Sequence, residues 1–205
     1  MSKNWDDYEI YHPGVFGPLN TLPRADARRA FNARIEAKPG RIEMLRRLLS
    51  ANGIELASTD AAIQDLNDWF RASVEADPDQ PGRLLPSWYS VVNDVALFLG
   101  DVMIERCPRL HWEFYTWGKK NVAYQRHVIM GFTQVPNPKY NIDIHRRVAA
   151  YGHRIVPSRG SVPHYGRVMV RGVEIDIDAV VRQGEPAEIE EDAFLHWVKL
   201  AESQA

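Results

Sequence analysis

The hydrophobic repeat changes period near residue 107, and this change limits the fold more than any other feature of the chain. Before it, Val91, Val92, Val95, Phe98, Leu99, Val102 and Met103 recur in steps of one, three and four. That is the spacing of a helix with 3.6 residues per turn. Leu97 and Ile104 widen the stripe, so the helix predicted over 87–106 is apolar around most of its circumference and belongs at the centre of a fold. After it, Leu110, Trp112, Phe114 and Thr116 alternate with His111, Glu113, Tyr115 and Trp117, and Val128, Met130 and Phe132 alternate with His127, Ile129 and Gly131. A period of two predicts two antiparallel strands, joined by a loop through Gly118-Lys119-Lys120-Asn121.

Three more helices are predicted upstream. Ala27, Phe31 and Ile35 mark one over 24–37, and Ile42, Leu45, Leu48 and Leu49 mark a second over 41–51, with Gly53 as its stop. Pro39-Gly40 breaks or kinks the path between them. Ile63, Leu66, Phe70 and Val74 mark a third over 59–75, with Ser58-Thr59-Asp60 as cap candidates. Asp77–Pro86 reads as a linker. Downstream, residues 141–152 form a short helix, Val156–Gly166 a loop, Arg167–Ile177 a hairpin around Arg171-Gly172, and Glu190–Ser203 a terminal helix with Phe194, Trp197, Val198 and Ala201 inward. Helices, then strands, then a helix predict an α+β domain over 24–205, with its helices packed on a small antiparallel sheet. Residues 1–23 form an irregular arm that packs onto the body through Trp5, Tyr8, Tyr11 and Phe16.

The chain has 205 residues, 45% of them hydrophobic and 25% charged, enough for one well-filled core. Its one cysteine, Cys107, cannot form an internal disulfide and reads as a structural thiol, which fits a reducing compartment. Met1–Glu9 is polar and acidic, and the apolar stretch Val91–Ile104 is interrupted by Asn93, Asp94 and Asp101. A cytoplasmic protein without a membrane partner is expected.

Charge is segregated along the chain, although the net value is only −2. Arg106–Arg171 carries twelve Lys/Arg against two Asp/Glu, Leu48–Glu105 carries two against ten, and Gly172–Ala205 two against nine. Held on one surface, the basic excess attracts an anionic partner. Folded against the acidic helices, it is neutralised internally. The expected binding residues are Lys119, Lys120, Arg126, His127, His111, Tyr115 and Trp117, facing an acidic protein or another anionic macromolecule. The rings of this segment (Trp112, Tyr115, Trp117, Tyr124, Phe132, Tyr140, Tyr151 and Tyr165) make single-stranded nucleic acid an alternative partner.

Catalytic signals are sparse. His111 and Glu113 share a strand face, and the neighbouring His127 joins them in one register, which would build a metal or proton-transfer set. Asp143 and His145 have a ligand-like spacing, with His153 two helical turns on. A metal-assisted hydrolase or nuclease is therefore the alternative to a binding protein. Asp94, Asp101 and Glu105 share a helix face; Asp94 lies where burial demands a partner, expected from the basic strands. Ser158-Arg159-Gly160-Ser161 lacks the lysine of a phosphate-binding loop. No cofactor, resident metal or catalytic residue is expected from these patterns.

Phe31-Asn32, Arg41-Ile42, Leu45, Leu66 to Trp69-Phe70, Asp94 to Leu99-Gly100-Asp101, Leu110 to Glu113 and Gly131-Phe132 together resemble a group of uncharacterised bacterial domains. In these, a leucine-glycine-acid step ends one helix and a tryptophan-bearing strand follows. Members are found near toxin–immunity or phage-defence loci. The resemblance covers about residues 25–134, carries no catalytic residue, and implies a protein that works by binding.

Overall fold

The computed structural model describes residues 3–15, 17–80, 82–158, 167–170, 173–176 and 190–205, with backbone alone for 157–158, 167–170 and 173–176. These residues form five α-helices: α1 (Arg24–Ala51), α2 (Asp60–Ser73), α3 (Pro86–Arg106), α4 (Ile144–Ser158) and α5 (Ala193–Gln204). Two short antiparallel strand pairs accompany them, β1 (His111–Phe114) with β2 (His127–Met130), and β3 (Arg167–Val170) with β4 (Val173–Asp176). The expected α+β class holds, with a C-terminal helix. The expected Arg171-Gly172 turn, Phe16, His164, Tyr165 and the 159–166 part of the expected loop lie outside the described residues.

Helix α3 is the axis of the molecule. Every residue from Ser90 to Gly100 is buried, as an all-round apolar helix requires. It packs against α1, α4 and α5. Above it sits an aromatic layer in which Phe70 of α2 stacks on Tyr151 of α4 at 6.1 Å and meets Phe194 of α5 at 5.4 Å. Thr59 is the cap that starts α2, its hydroxyl accepting from the Ala62 N–H at 3.3 Å. The arm docks as expected: Trp5 lies 5.5 Å from Trp88, edge to face.

One helix replaces the two expected at 24–51, because α1 runs straight through Pro39. Proline at position 39 removes the N–H that would bond the Ile35 carbonyl. The loss is tolerated because residues on both sides of it are anchored. Lys38 Nζ bonds Asp101 at 2.5 Å, Arg41 bonds Asp94, and Leu45, Leu48 and Leu49 are buried. Helix α4 is also longer than expected, reaching Ser158 where a loop from Val156 was predicted.

The β1–β2 register pairs His111 with Met130, Glu113 with Val128, and Phe114 with His127. An isolated bridge, Ile129 to Ile142, covers the far edge of β2. Two close approaches hold this sheet to α3. The Trp112 ring lies against the backbone of Gly100, where a Cβ would overlap it, and Trp112 Nε1 donates to Asp101 Oδ1 at 2.9 Å. Gly131, at φ +106°, lies against the Arg109 carbonyl, where only a glycine fits. Across these contacts Arg41 meets Asp94, and Gly100 and Asp101 meet Trp112.

Candidate functional site: a cationic loop and groove over a buried arginine–histidine layer

The connection between β1 and β2 is a built loop. Tyr115 and Arg126 continue the ladder, the Tyr115 N–H donating to the Arg126 carbonyl at 2.9 Å. Two turns follow, Asn121 N–H to Gly118 O at 2.8 Å and Tyr124 N–H to Asn121 O at 3.0 Å. The Asn121 side chain accepts from the Ala123 N–H at 2.8 Å and donates to Tyr115 Oη at 3.3 Å. Gln125 Nε2 donates to the carbonyls of Leu19 and Leu22, tying the loop to the arm. Beneath, Tyr115, Ala123 and Val128 form a small core of their own.

This scaffold pushes Lys119 and Lys120 into solvent, with Trp117 52% and Val122 57% exposed beside them. Lys139 Nζ sits 5.0 Å from the Trp117 ring centre. Next to the loop is an open groove of about 460 Å³, lined by Asn121, Val122 and Ala123 on one side and by Asn141, Asp143, Arg146 and Arg147 on the other. Among the described residues Lys119, Lys120, Lys139, Arg146 and Arg147 have no carboxylate within ion-pair distance. Arg106 is the exception in the basic segment that the acidic helices do neutralise, through Asp60 at 2.7 Å and Glu202 at 2.9 Å.

The other expected binding residues sit elsewhere. Tyr115 and His127 are buried and support the loop from below. Arg126 is half-buried, its Nε donating to Asp143 Oδ2. His111 is exposed, 3.8 Å from Glu113. Because His127 pairs with Phe114, it points to the opposite sheet face from His111 and Glu113. The expected His/Glu/His set is therefore not assembled, and no group of three metal-donor side chains occurs among the described residues. Asp143 serves Arg126 and caps the Arg146 N–H at 2.9 Å. Burial, with Glu202 adding to it, pushes the Cys107 thiol up.

Under the loop lies a polar layer. His127 packs edge to face on His145, ring centres 5.3 Å apart, and Arg126 Nη2 lies 3.5 Å from His145 Nδ1. Burial and then the Arg34 charge push both imidazoles well below their ordinary range, so both are neutral near pH 7. Further along α1, Arg41 grips both oxygens of buried Asp94, Nε to Oδ1 at 3.0 Å and Nη2 to Oδ2 at 2.6 Å. Tyr8 Oη donates to the same carboxylate at 2.5 Å, Asn93 donates at 2.8 Å, and burial beside Asp94 drives the phenol pKa up. The partner of Asp94 is thus a residue of α1, not of the basic strands as expected.

Arg34, Lys38 and Arg41 were missed as a set. Their spacing of four and three places them on one stripe of a continuous helix. Asp94 and Asp101, seven apart on α3, supply the facing stripe. Reading a break at Pro39 hid the match.

The chain matches no known protein family, no curated protein sequence and no solved structure.

Proposed function

We propose that this is a non-catalytic binding protein that captures an acidic protein through the β1–β2 loop and the first turns of α4. The observation that carries this reading is the exposed pair Trp117 and Val122 on a loop and groove with five cations that have no carboxylate partner among the described residues. An apolar anchor in a charged rim is the anatomy of a recognition surface: the tryptophan supplies affinity and the cations supply steering and selectivity. The resemblance to domains found near toxin–immunity loci fits an immunity-like role, in which the captured protein is a toxin. Single-stranded nucleic acid fits less well, since Tyr115 and Tyr151 are buried and do not extend Trp117 into a row of stacking rings.

The test is affinity capture followed by titration with the purified partner. Lys119→Glu/Lys120→Glu and, separately, Trp117→Ala should each weaken binding about tenfold or more, with helical content and Tm unchanged. Arg126 is left intact, because reversing it would set two carboxylates against each other at Asp143. Undiminished affinity in both variants rejects the surface. An oligonucleotide that binds at low salt, with a steep salt dependence, reassigns the partner.

A further inference from the structure

Arg34 is the anomaly of the interior. It is 7% exposed, and its Nε and Nη2 have no hydrogen-bond partner. His127, 4% exposed, leaves its Nε2 unpartnered as well. Burial lowers the Arg34 pKa to about 10, which still leaves the guanidinium charged at neutral pH. The carboxylates whose charges reach it are Asp143 and Asp94, and both are engaged, Asp143 by Arg126 and Asp94 by Arg41. Among the described residues, three guanidinium groups (Arg34, Arg41, Arg126) against two carboxylates leave this layer one positive charge in excess, and the two imidazoles beside it are neutral. Two buried donors of a charged group left without acceptors are strongly unfavourable.

The open edge of Arg34 has a specific shape. Nε and Nη2 are the two donors that lie side by side on one edge of a guanidinium, and a carboxylate accepts from both at once. Arg41, seven residues along the same helix, uses this same pair of atoms to hold both oxygens of Asp94. We propose that Arg34 and His127 form a buried receptor for the carboxylate group of a small organic acid, taken on the Nε/Nη2 edge of Arg34 with His127 Nε2 as a further donor. A monocarboxylate cancels the single excess charge and satisfies the unpartnered donors together. The layer adjoins the external groove through its side chains: Asp143 lines the groove, Arg126 is bound to Asp143, and Arg126 reaches His145 at 3.5 Å.

The experiment uses the full chain labelled with ¹⁵N-arginine and dialysed into chloride buffer, titrated with sodium acetate at constant ionic strength. One Nε–H resonance, absent from the spectrum of Arg34→Lys, should shift to saturation. Arg34→Lys or His127→Asn, whichever folds, should weaken acetate binding about tenfold or more, while Lys119→Glu/Lys120→Glu leaves it unchanged. Mass spectrometry of an acid extract covers a ligand already bound: a stoichiometric organic acid released from wild type also supports the site. The proposal is overturned if there is neither a released acid nor a saturable response, which leaves water on that edge. It is equally overturned if phosphate binds more tightly than acetate, or if acetate binds the folded variants as it binds wild type.

Discussion

Asp94 shows how much one buried side chain can hold. It accepts from Arg41, Tyr8 and Asn93, joining α1, α3 and the arm at one carboxylate. Removing it leaves the Arg41 charge buried and alone. Asp94→Ala should cost about 3–5 kcal/mol in urea unfolding, whereas the paired change Arg41→Met/Asp94→Leu should cost less than the single one. The histidine pair sets a second expectation. In the unfolded chain His127 and His145 titrate near 6.5, and in the fold well below it. Below pH 6.5 the unfolded state therefore binds more protons, so stability is complete above that pH and is lost as pH falls. The slope is up to about 1.4 kcal/mol per pH unit for each imidazole. Stability curves between pH 7 and 5 test this, and His127→Asn should flatten them. An equally steep curve in that variant would remove the histidine from the account.

Helices α1 and α3 are matched ladders, Arg41 to Asp94 and Lys38 to Asp101, and this matching explains why Pro39 does not end α1. Pro39 is exposed and forgoes one backbone bond. Pro39→Ala should restore it and raise Tm by several degrees in a thermal scan; a lower Tm would mean that the ring itself is needed there. The contact of α3 with β1 is tighter. Gly100→Ala places a methyl group inside the Trp112 ring and should destabilise by about 1–3 kcal/mol or more, with loss of the Trp112–Asp101 hydrogen bond. In a Trp112→Ala background the same change should be close to neutral. A full cost in that background would place the clash elsewhere.

The segregated charge divides between two uses. Arg106 fastens the start of α2 to α5 through Asp60 and Glu202, and Arg126 is spent on Asp143. Among the described residues, Lys119, Lys120, Arg146 and Arg147 stay without a carboxylate partner around the loop and groove. Raising salt from about 0.05 to 0.5 M shrinks the screening length several-fold. If the proposed function holds, partner capture should therefore weaken, while Tm stays within a few degrees because the burial that holds the fold is apolar. A Tm that falls in step with binding would show that the same cations hold the fold.

Periodicity alone was enough for the central helix, the two strands, the capped start of α2 and the inward rings of α5, because each depends on neighbours at most one turn away. The solvent-facing lysines of the loop were equally legible, since a turn between two strands must be exposed. Burial of His127 and Tyr115 was not, because a strand face is assigned only by the register of its partner. The pairing of Lys38 and Arg41 was not legible either, because their partners Asp101 and Asp94 lie 63 and 53 residues away on α3. Side chains that pair across the core are chosen by packing, and local spacing carries no record of which distant charge will arrive.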